Sequence, residues 1–547
     1  MRRCGRADAG GIQGIPRALA LDGIDPSVII VGGGPVGLGL AIELGQRGVR
    51  TCLLERHREI RRIPKGQNLT QRTLEHFHFW GAESQLRAAR TVPRSLGGGL
   101  TAYGTLLGEY QYDWLKRELV RPFYFTENER LPQYHTEAVL RDRVAEIPAV
   151  ATRYGAVAES VDADGRSAVV RFREHEGALT ELRADYLVGC DGSHSLVREQ
   201  AGLTQRRIDH DRRMVLMVFR SPALDRLLAR FVGKSFFSVL HPDLEGYWQF
   251  LGRVDSESRW FFHAPVPGDA SRETLDAGRL LERAVGAPFD LDVEYVGFWD
   301  LRFAIAETYR AGRVFIAGDA AHSHPPYGGY GVNSGFEDAV NLGWKLAATI
   351  QGWSGSDLLD SYSLERQPVF ASTASTFIER AILRDREFLA SCRPDDDRAA
   401  FERAWHARAD EARDEVDTFA PHYEGSPIIW SAADRQPSAV SDHAFRARAG
   451  HHLAPARLSS GSNVYERLGA GFSLLVGREA DPTAFVQAAA NLGVPLEVIA
   501  DKGARGEFAR YDAQLVLVRP DQYVAWTDVA GPGDPNTVLH RVIGRAQ

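Results

Sequence analysis

A glycine-rich run near the N-terminus has the residue types and spacing that hold a dinucleotide. Gly32-Gly-Gly34-Pro-Val-Gly37 fits the pattern G-x-G-x-x-G and lies between an apolar run, Ser27 to Val31, and a stretch of helical periodicity. Backbone N–H groups in such a loop and the positive end of the following helix bind a pyrophosphate. Glu55 follows about 20 residues later, where a carboxylate accepts hydrogen bonds from the adenosine ribose. These residues predict a dinucleotide site without distinguishing FAD from NAD.

A second constellation lies around residue 320. Arg313 to Ala317 reads as a buried strand that ends at Gly318-Asp319, and a loop containing Pro326 then leads into a helix through Gly331-Val332-Asn333. These motifs resemble those of the class A flavoprotein monooxygenases, the FAD-dependent aromatic hydroxylases related to phenol hydroxylase and para-hydroxybenzoate hydroxylase. The dinucleotide is therefore expected to be FAD.

The resemblance implies a role for each of these positions. Gly318 and Asp319 would bind the FAD ribityl chain, and residues 329–339, including Gly331, Val332 and Asn333, would lie against the isoalloxazine ring. The positive end of a helix that starts near Asn333 would face the flavin edge where negative charge accumulates on reduction, which favours the reduced state.

Three further positions follow the same resemblance. Asp191 begins a D-G motif that in the family serves both FAD and the nicotinamide cofactor. Gln133 opens a Q-x-x-x-E segment whose glutamine approaches the FAD phosphates. Lys65 stands where relatives usually carry an arginine that contacts a phosphate. All three are expected to bind cofactor.

The catalytic candidates are less directly marked. Pro326 resembles the proline whose backbone carbonyl lies beside the flavin in relatives, and Tyr247 and His241 are candidates for holding or deprotonating a phenol. Nearby aromatic residues either stack on an aromatic substrate or form ordinary core: Trp248, Phe250, Phe261 and Phe262. No metal site is predicted, because His322-x-His324 lacks a carboxylate partner at metal spacing.

As the resemblance implies, the chain is an FAD-dependent, NADH- or NADPH-consuming monooxygenase that hydroxylates a phenolic or related aromatic substrate with O2 through a flavin C4a-hydroperoxide. The cofactor would carry out the oxygen chemistry, and the protein would position the substrate and exclude water from the site. Two alternatives stay open: an FAD-dependent dehydrogenase or reductase on the same fold, and a flavoprotein that sequesters an aromatic ligand. No second G-x-G-x-x-G follows a strand, so we expect no separate nicotinamide domain.

Apolar periodicity predicts an α/β fold. Buried runs with an intervening helical stretch form a βαβ unit, and aromatic-rich alternating segments from Met214 to His263 predict an antiparallel meander. The expected organisation is an N-terminal disordered tail (1–25), a Rossmann-like FAD-binding domain (26–390) interleaved with an antiparallel-sheet substrate domain (about 95–130 and 205–305), a helical and linker segment (391–465), and a C-terminal domain (466–547). The resemblance implies that this last domain is thioredoxin-like, but it has no C-x-x-C pair.

Composition excludes several classes of protein. The 547 residues are 44% hydrophobic and 25% charged, with a net charge of -7, so no global positive field attracts nucleic acid. Four cysteines without a C-x-x-C pair provide neither a disulfide framework nor a thiolate zinc site, which favours the cytoplasm. The longest apolar stretch is interrupted by glycines, a proline and a glutamate, so no membrane span is predicted. Dimerisation is common in the family, and a homodimer is compatible with the resemblance.

Overall fold

A computed structural model describes residues 25–174, 177, 179–432, 434–503, 506–529, 531 and 533–545. Apart from Asp25, the predicted disordered tail lies outside the described residues. The strands in chain order are β1 (Val28–Val31), β2 (Thr51–Glu55), β3 (Asn68–Leu69), β4 (Gly98–Tyr103), β5 (Gln111–Trp114), β6 (Glu129–Arg130), β7 (Val150–Tyr154), β8 (Val157–Ala163), β9 (Ala168–Arg173), β10 (Leu179–Ala184), β11 (Tyr186–Gly189), β12 (Gln205–Arg220), β13 (Lys234–Leu240), β14 (Trp248–Arg253), β15 (Arg259–Val266), β16 (Asp292–Ala306), β17 (Arg310–Ala311), β18 (Val314–Ile316), β19 (His322–Ser323), β20 (Phe419–His422), β21 (Ser438–Val440), β22 (Phe472–Val476), β23 (Leu496–Ala500), β24 (Leu515–Val518) and β25 (Val524–Thr527).

The helices are α1 (Pro35–Gln46), α2 (Gln71–Phe79), α3 (Glu83–Ala88), α4 (Gln133–Ala145), α5 (Leu196–Gln200), α6 (Pro222–Leu228), α7 (Ala277–Val285), α8 (Tyr330–Ile350), α9 (Asp360–Ser372), α10 (Arg380–Ser391), α11 (Arg398–Thr418), α12 (Thr483–Leu492) and α13 (Pro535–Val542). A π-helical turn, Thr373–Glu379, joins α9 to α10, and a 3-10 helix spans Arg117–Phe123. Within the described residues, no helix combines the length and the apolar character needed to cross a membrane.

A six-stranded sheet in the order β17-β18-β11-β1-β2-β7 forms the first layer. All neighbours from β18 to β7 pair in parallel, which requires apolar side chains on both faces. The uninterrupted apolar sequence of β1 meets that requirement, and its four residues are buried. Helices α1 and α8 pack closely against each other, because a Cβ added at Gly343 would lie 2.7 Å from the Cβ of Glu43.

An eight-stranded sheet in the order β19-β16-β12-β15-β14-β13-β4-β5 forms a second layer. Its strands pair antiparallel except for β4 with β13. The aromatic segments that predict a meander are β13, β14 and β15. The two longest strands, β12 and β16, lie at the two ends of the region 205–305 that the sequence assigns to this sheet. The chain enters this sheet between β2 and β7 and again between β11 and β18, and it adds β19 after β18.

The C-terminal part contains a four-stranded mixed sheet in the order β23-β22-β24-β25, with α12 and α13. It is joined to the first layer by a buried ion pair, since both terminal nitrogens of Arg519 donate to the carboxylate of Glu365 at 2.6 and 2.9 Å. The Pro-, Ser- and Gly-rich stretch before this sheet is packed, because Tyr423 and Ile429 within it are fully buried. The turn-forming residues of this stretch therefore belong to irregular backbone that is packed into the protein.

Candidate flavin and substrate site

One cavity of about 530 Å³ extends between the parallel sheet and the antiparallel sheet. At one end it is lined by the loop between β1 and α1, and at the other by aromatic side chains of the antiparallel sheet. It brings together ten of the fifteen sequence-predicted site residues: Gly32, Gly34, Glu55, Lys65, Gln133, Asp191, Asp319, Pro326, Gly331 and Val332.

Each glycine of the loop between β1 and α1 is explained by a different steric requirement. A Cβ on Gly32, whose φ is +110°, would lie 2.2 Å from the carbonyl oxygen of Cys190, and a Cβ on Gly37 would lie 1.9 Å from that of Gly32. Both glycines therefore allow close backbone contact. A Cβ on Gly34 would meet no atom within 4 Å. Gly34 thus leaves open the space in front of the α1 N-terminus, where a pyrophosphate would lie.

Glu55 at the end of β2 shapes this loop directly. Its Oε2 accepts a hydrogen bond from the backbone N–H of Gly33, and its Oε1 accepts one from that of His57, both at 2.7 Å. The carboxylate is buried and lies in the cavity wall. Its position is therefore fixed by backbone contacts, and its remaining acceptor capacity is available to a ribose.

The Gly318-Asp319 turn is held by a buried carboxylate on α8. The backbone N–H of Gly318 donates to Asp338 Oδ2 at 2.9 Å, and Gly318 itself has a φ of +59°. Asp338 is also bonded to His322 at 2.6 Å and to Arg366 at 2.7 Å. Asp319 faces the cavity, and enclosure by the surrounding protein raises the pKa of its carboxyl group. The turn therefore presents a rigidly placed carboxylate to the cavity.

The other predicted cofactor contacts occupy different parts of the cavity wall. Asp191 accepts hydrogen bonds from Ser195 Oγ at 2.5 Å and from the backbone N–H of Val197 at 3.2 Å, and burial raises its pKa. The amide of Gln133 donates to Glu137 Oε1 at 2.7 Å. Lys65 is exposed on the cavity rim. Lys65 is one of several cations there, because the exposed Arg56 and Arg61 also line the cavity.

Consecutive residues at the start of α8 face in different directions, some toward the cavity and some away from it. Gly331 and Val332 line the cavity. Asn333 does not, because its side chain ties α8 to the segment before α2: Oδ1 accepts from the Thr70 N–H at 2.9 Å, and Nδ2 donates to the Asn68 carbonyl at 2.9 Å. In the structure Asn333 fixes the helix terminus rather than facing the cavity.

Aromatic side chains form the far end of the cavity. Trp114 and Phe250 pack edge to face with ring centroids 5.8 Å apart, and Phe261 lies 5.3 Å from Phe250. His263 is the titratable group among them, and burial lowers its pKa to about 4. A neutral imidazole in an aromatic wall suits an apolar ring that carries one polar substituent.

Tyr247 and His241 are not brought to this cavity. Tyr247 lines a separate surface depression, where the guanidinium groups of Arg212 and Arg386 lie over its ring at 5.4 and 5.7 Å. His241 caps a short 3-10 helix and accepts the backbone N–H of Asp243 at 3.1 Å. Both residues stand at the turn between β13 and β14, whereas the cavity is lined from the middle of the strands. Pro326 does line the cavity.

Sequence reasoning did not single out several residues in the wall. Gln67, His263 and His324 each line the cavity and have a side-chain nitrogen without a hydrogen-bond partner among the described residues. Arg130 also lines it and donates to Gln67 Oε1 at 2.9 Å. Strand alternation contained a signal for His263, because Phe261 and His263 are two residues apart and so face the same side of β15.

The two histidines of the His322-x-His324 pair each have a protein partner. His322 is bonded to Asp338, and a nitrogen of His324 lies 2.5 Å from the carbonyl oxygen of Pro325. Elsewhere in the described residues, three ligand-type side chains bring their donor atoms within 4.8 Å of one another: His422, Glu424 and His451. There the His451 ring is hydrogen-bonded to Glu424 at 3.0 Å.

The cavity fits FAD. It is open in front of the α1 N-terminus, holds the buried Glu55 and the enclosed Asp319, and offers the unpartnered nitrogens of Gln67 and His324. A glycine-rich turn that opens the first helix of a parallel sheet, followed by a carboxylate at the end of the second strand, is the arrangement of dinucleotide-binding folds. Fold and site together define an FAD-binding protein with an aromatic ligand pocket.

Comparison with known proteins gives the family. An FAD-binding domain model matches residues 25–376, and a model of the C-terminal region of aromatic-ring hydroxylases matches residues 446–546. The chain belongs to the FAD-dependent aromatic-ring hydroxylases. The family membership predicted from the sequence motifs is thus confirmed.

Three curated relatives and two solved structures illustrate the likeness. A 4-methyl-5-nitrocatechol 5-monooxygenase from Burkholderia sp is 31% identical over 94% of this chain and 96% of its own length. A putative polyketide hydroxylase from Streptomyces halstedii is 38% identical over 65% of each chain, and one from Streptomyces coelicolor is matched over 57% of its length. The chain thus spans less than two thirds of these two polyketide hydroxylases.

Among solved structures, the flavin-dependent monooxygenase PieE in complex with FAD and substrate is 26% identical, with a TM-score of 0.83 over 96% of this chain and all of that one. The rebeccamycin biosynthetic enzyme RebC with bound 7-carboxy-K252c is 28% identical, with a TM-score of 0.81 over the same shares of the two chains. The mixed α/β architecture is therefore that of the flavin-dependent hydroxylases.

Proposed function

We propose that this protein is an NADH- or NADPH-consuming monooxygenase that uses FAD and O2 to hydroxylate an aromatic ring bearing a hydroxyl group. One observation carries the proposal: a single cavity joins a dinucleotide-binding end to an aromatic end. A cofactor that spans this cavity would bring its reactive ring to the aromatic wall. The relatives named for polyketides and for a nitrocatechol support a phenolic substrate, which includes polycyclic phenols.

The residues that would hold FAD follow from the cavity wall. The backbone N–H of Gly34 and the N-terminus of α1 would bind the pyrophosphate, and Glu55 the adenosine ribose. Asp319 would bind the ribityl chain, and the N–H groups at Gly331 and Val332 would face the pyrimidine edge of the ring, where the helix dipole stabilises negative charge. Bound FAD supplies the electron transfer from a nicotinamide and the activation of O2.

His263 takes the role that sequence reasoning assigned to Tyr247 or His241. Its neutral ring can accept a hydrogen bond from a phenolic hydroxyl, which increases the electron density on the phenol oxygen and makes the ring a stronger nucleophile. Trp114, Phe250 and Phe261 would stack on the substrate ring and exclude water from it. Exclusion of water is important here because water in this space would divert activated oxygen to peroxide.

Features outside the cavity complete the proposal. The nicotinamide would bind transiently, with Asp191 near its path, and without a domain of its own. The domain limits predicted from the sequence are retained, with a thioredoxin-like unit at residues 466–547 and a homodimer as the working assembly. Because the described sheet of that unit is tied to Glu365 through Arg519, its role is to support the FAD domain.

The decisive experiment measures oxygen consumption by the FAD-loaded protein with NADH or NADPH, with and without a panel of phenols, together with the peroxide released. We expect one class of phenol to accelerate nicotinamide oxidation and to consume oxygen without an equivalent amount of peroxide. Reduction of the flavin without oxygen incorporation would support a reductase instead. Ligand binding that leaves nicotinamide oxidation unchanged would support sequestration, and failure to bind FAD would overturn the proposal.

A further inference from the structure

A second cavity of about 80 Å³ lies next to the flavin cavity and shares no lining residue with it. Successive residues of α8 separate the two, because Val332 lines the first and Asn333 the second. The wall of the second cavity is formed by the start of α2, the 3-10 helix Arg117–Phe123, α8 and the segment 442–454. A water requires about 10–15 Å³ by the same measure, so several waters or one small aromatic molecule fit.

Arg117 is the unusual member of this wall. In the described part of the chain, its guanidinium has one hydrogen bond, from Nη2 to the carbonyl oxygen of Gly328 at 2.8 Å, and no carboxylate within ion-pair distance. Burial lowers its pKa, but an arginine remains protonated in a protein. Arg117 is half-buried, and a partly desolvated charge without an ion-pair partner favours binding of an anion at this position.

Glu415 is the acid whose charge acts on Arg117, but it does not provide a full counter-charge. Glu415 acts on Arg117 through its charge, but burial raises its own pKa and its Oε1 accepts a hydrogen bond from Tyr330 at 2.9 Å. Glu415 does not line the cavity. Its electrostatic compensation of Arg117 is therefore indirect and partial.

The cavity as a whole is positive. Five arginines line it against two carboxylates, Glu337 and Asp442. Three of these arginines are already in ion pairs: Arg72 with Glu337, Arg366 with Asp338, and Arg448 with Asp442. Arg117 and Arg446 remain, and Arg446 is exposed on the rim, where it would attract an anion from solution.

Aromatic rings complete the wall. Tyr330 packs on Phe419 with ring centroids 4.5 Å apart, and Phe123 stacks on His443 at 5.4 Å. Burial lowers the pKa of His443 to about 4, and its Nε2 has no hydrogen-bond partner among the described residues. A flat ligand could thus lie between rings while its polar group reaches Arg117.

We propose that this second cavity is a binding site for a small aromatic carboxylate, whose carboxylate pairs with Arg117 and whose ring lies among Phe123, Tyr330 and Phe419. The site is separate from the flavin cavity and does not depend on the proposed hydroxylation. Because Arg117 also holds the carbonyl of Gly328, a residue of the flavin cavity wall, occupancy couples to the loop that faces the flavin.

The test is equilibrium binding of benzoate and 1-naphthoate to the FAD-loaded protein by calorimetry, with no nicotinamide present. Benzamide, which matches benzoate in shape but has no charge, is the ligand control. Arg117→Gln removes the charge, and Arg121→Gln in the same 3-10 helix is the matched control, because Arg121 does not line the cavity and donates to the Tyr124 carbonyl. Val120→Phe fills the cavity without changing its charge.

We expect one of the two carboxylates to bind, with benzamide at least tenfold weaker. Arg117→Gln and Val120→Phe should each weaken binding at least tenfold, whereas Arg121→Gln and His263→Phe should leave it unchanged. Val120→Phe decides the matter if Arg117→Gln does not fold. Absence of binding by both carboxylates, or binding that His263→Phe abolishes and the cavity variants spare, overturns the proposal. Neither result bears on hydroxylation, which the oxygen measurement tests separately.

Discussion

The carboxylate of Asp338 accepts a hydrogen bond from the backbone N–H of Gly318, 2.9 Å away and twenty residues earlier in the chain. This contact joins α8, which begins at the flavin cavity, to the turn that presents Asp319 to the same cavity. Burial opposes ionisation of Asp338, but His322 and Arg366 outweigh it and lower its pKa. One ionised side chain thus fixes two parts of the proposed FAD site relative to each other.

Asp338→Asn is expected to destabilise the protein and weaken FAD binding together. Removing the charge leaves Arg366 buried without its acid, which typically costs about 3–5 kcal/mol, and releases the Gly318 turn. Thermal unfolding and FAD titration measure the two effects. Asp300→Asn is the matched control, because Asp300 is exposed and pairs with Arg302 at the surface. Equal FAD affinity in Asp338→Asn and the wild type would show that the turn does not depend on this contact.

Two glycines of the first loop should separate folding from cofactor binding. Gly34→Ala is expected to leave the stability of the FAD-free protein within about 0.5 kcal/mol, because its Cβ meets no atom, yet to weaken FAD binding by filling the cavity. Gly37→Ala should lower both, since its Cβ would lie 1.9 Å from the Gly32 oxygen. Denaturant unfolding without FAD and fluorescence titration with FAD make the comparison. Similar behaviour of the two variants would contradict this assignment.

His263→Phe should keep FAD binding and lose hydroxylation. The substitution retains an aromatic side chain in the wall but removes the group that accepts a hydrogen bond from the phenolic hydroxyl, so product formation should fall by about 100-fold or more. Product and peroxide are measured with the best phenol of the panel. Tyr247→Phe is made in parallel, because Tyr247 lies in a separate depression. A large loss in Tyr247→Phe with none in His263→Phe would return the role to Tyr247.

Stability should fall as the pH is lowered from about 6.5 to about 4. Burial lowers the pKa of His263 from 6.5 to about 4, so the unfolded chain takes up a proton in this window before the folded protein does. The contribution is fully present above pH 6.5, and roughly 3 kcal/mol is lost by pH 4. His263→Phe should therefore lose less stability than the wild type between pH 7.5 and 4.5 in urea unfolding. His406→Phe, at an exposed position, should behave like the wild type.

Arg519→Met should loosen the C-terminal unit from the FAD domain. Arg519 and Glu365 are both fully buried, and Glu365 would keep Lys345 as its remaining basic partner at 2.7 Å. We expect a loss of about 3 kcal/mol in the free energy of unfolding. Urea unfolding measures it, with Arg478→Met at an exposed position as the control. A variant as stable as the wild type would mean that apolar packing alone holds the two units together.

The sequence by itself determined the elements that form the proposed cofactor site. Continuous apolar runs identify buried parallel strands, and glycines at fixed spacing identify the turn that approaches a phosphate, because both signals depend on neighbours along the chain. Strand β1 therefore lies within a residue of its predicted limits, Ser27 to Val31. Family motifs extended this to Gly318, Asp319 and Gly331.

Only the tertiary structure decided which residues meet at the aromatic end. Tyr247 and His263 look equally suitable in the sequence, but strand register places His263 in the cavity and leaves Tyr247 at a turn outside it. Asn333 belongs to a predicted flavin motif, yet its contacts with Asn68 and Thr70 turn it away. Arg117 has no local signal at all. Its unpaired charge follows from packing among segments far apart in the chain, and sequence periodicity reports only on neighbours within one element.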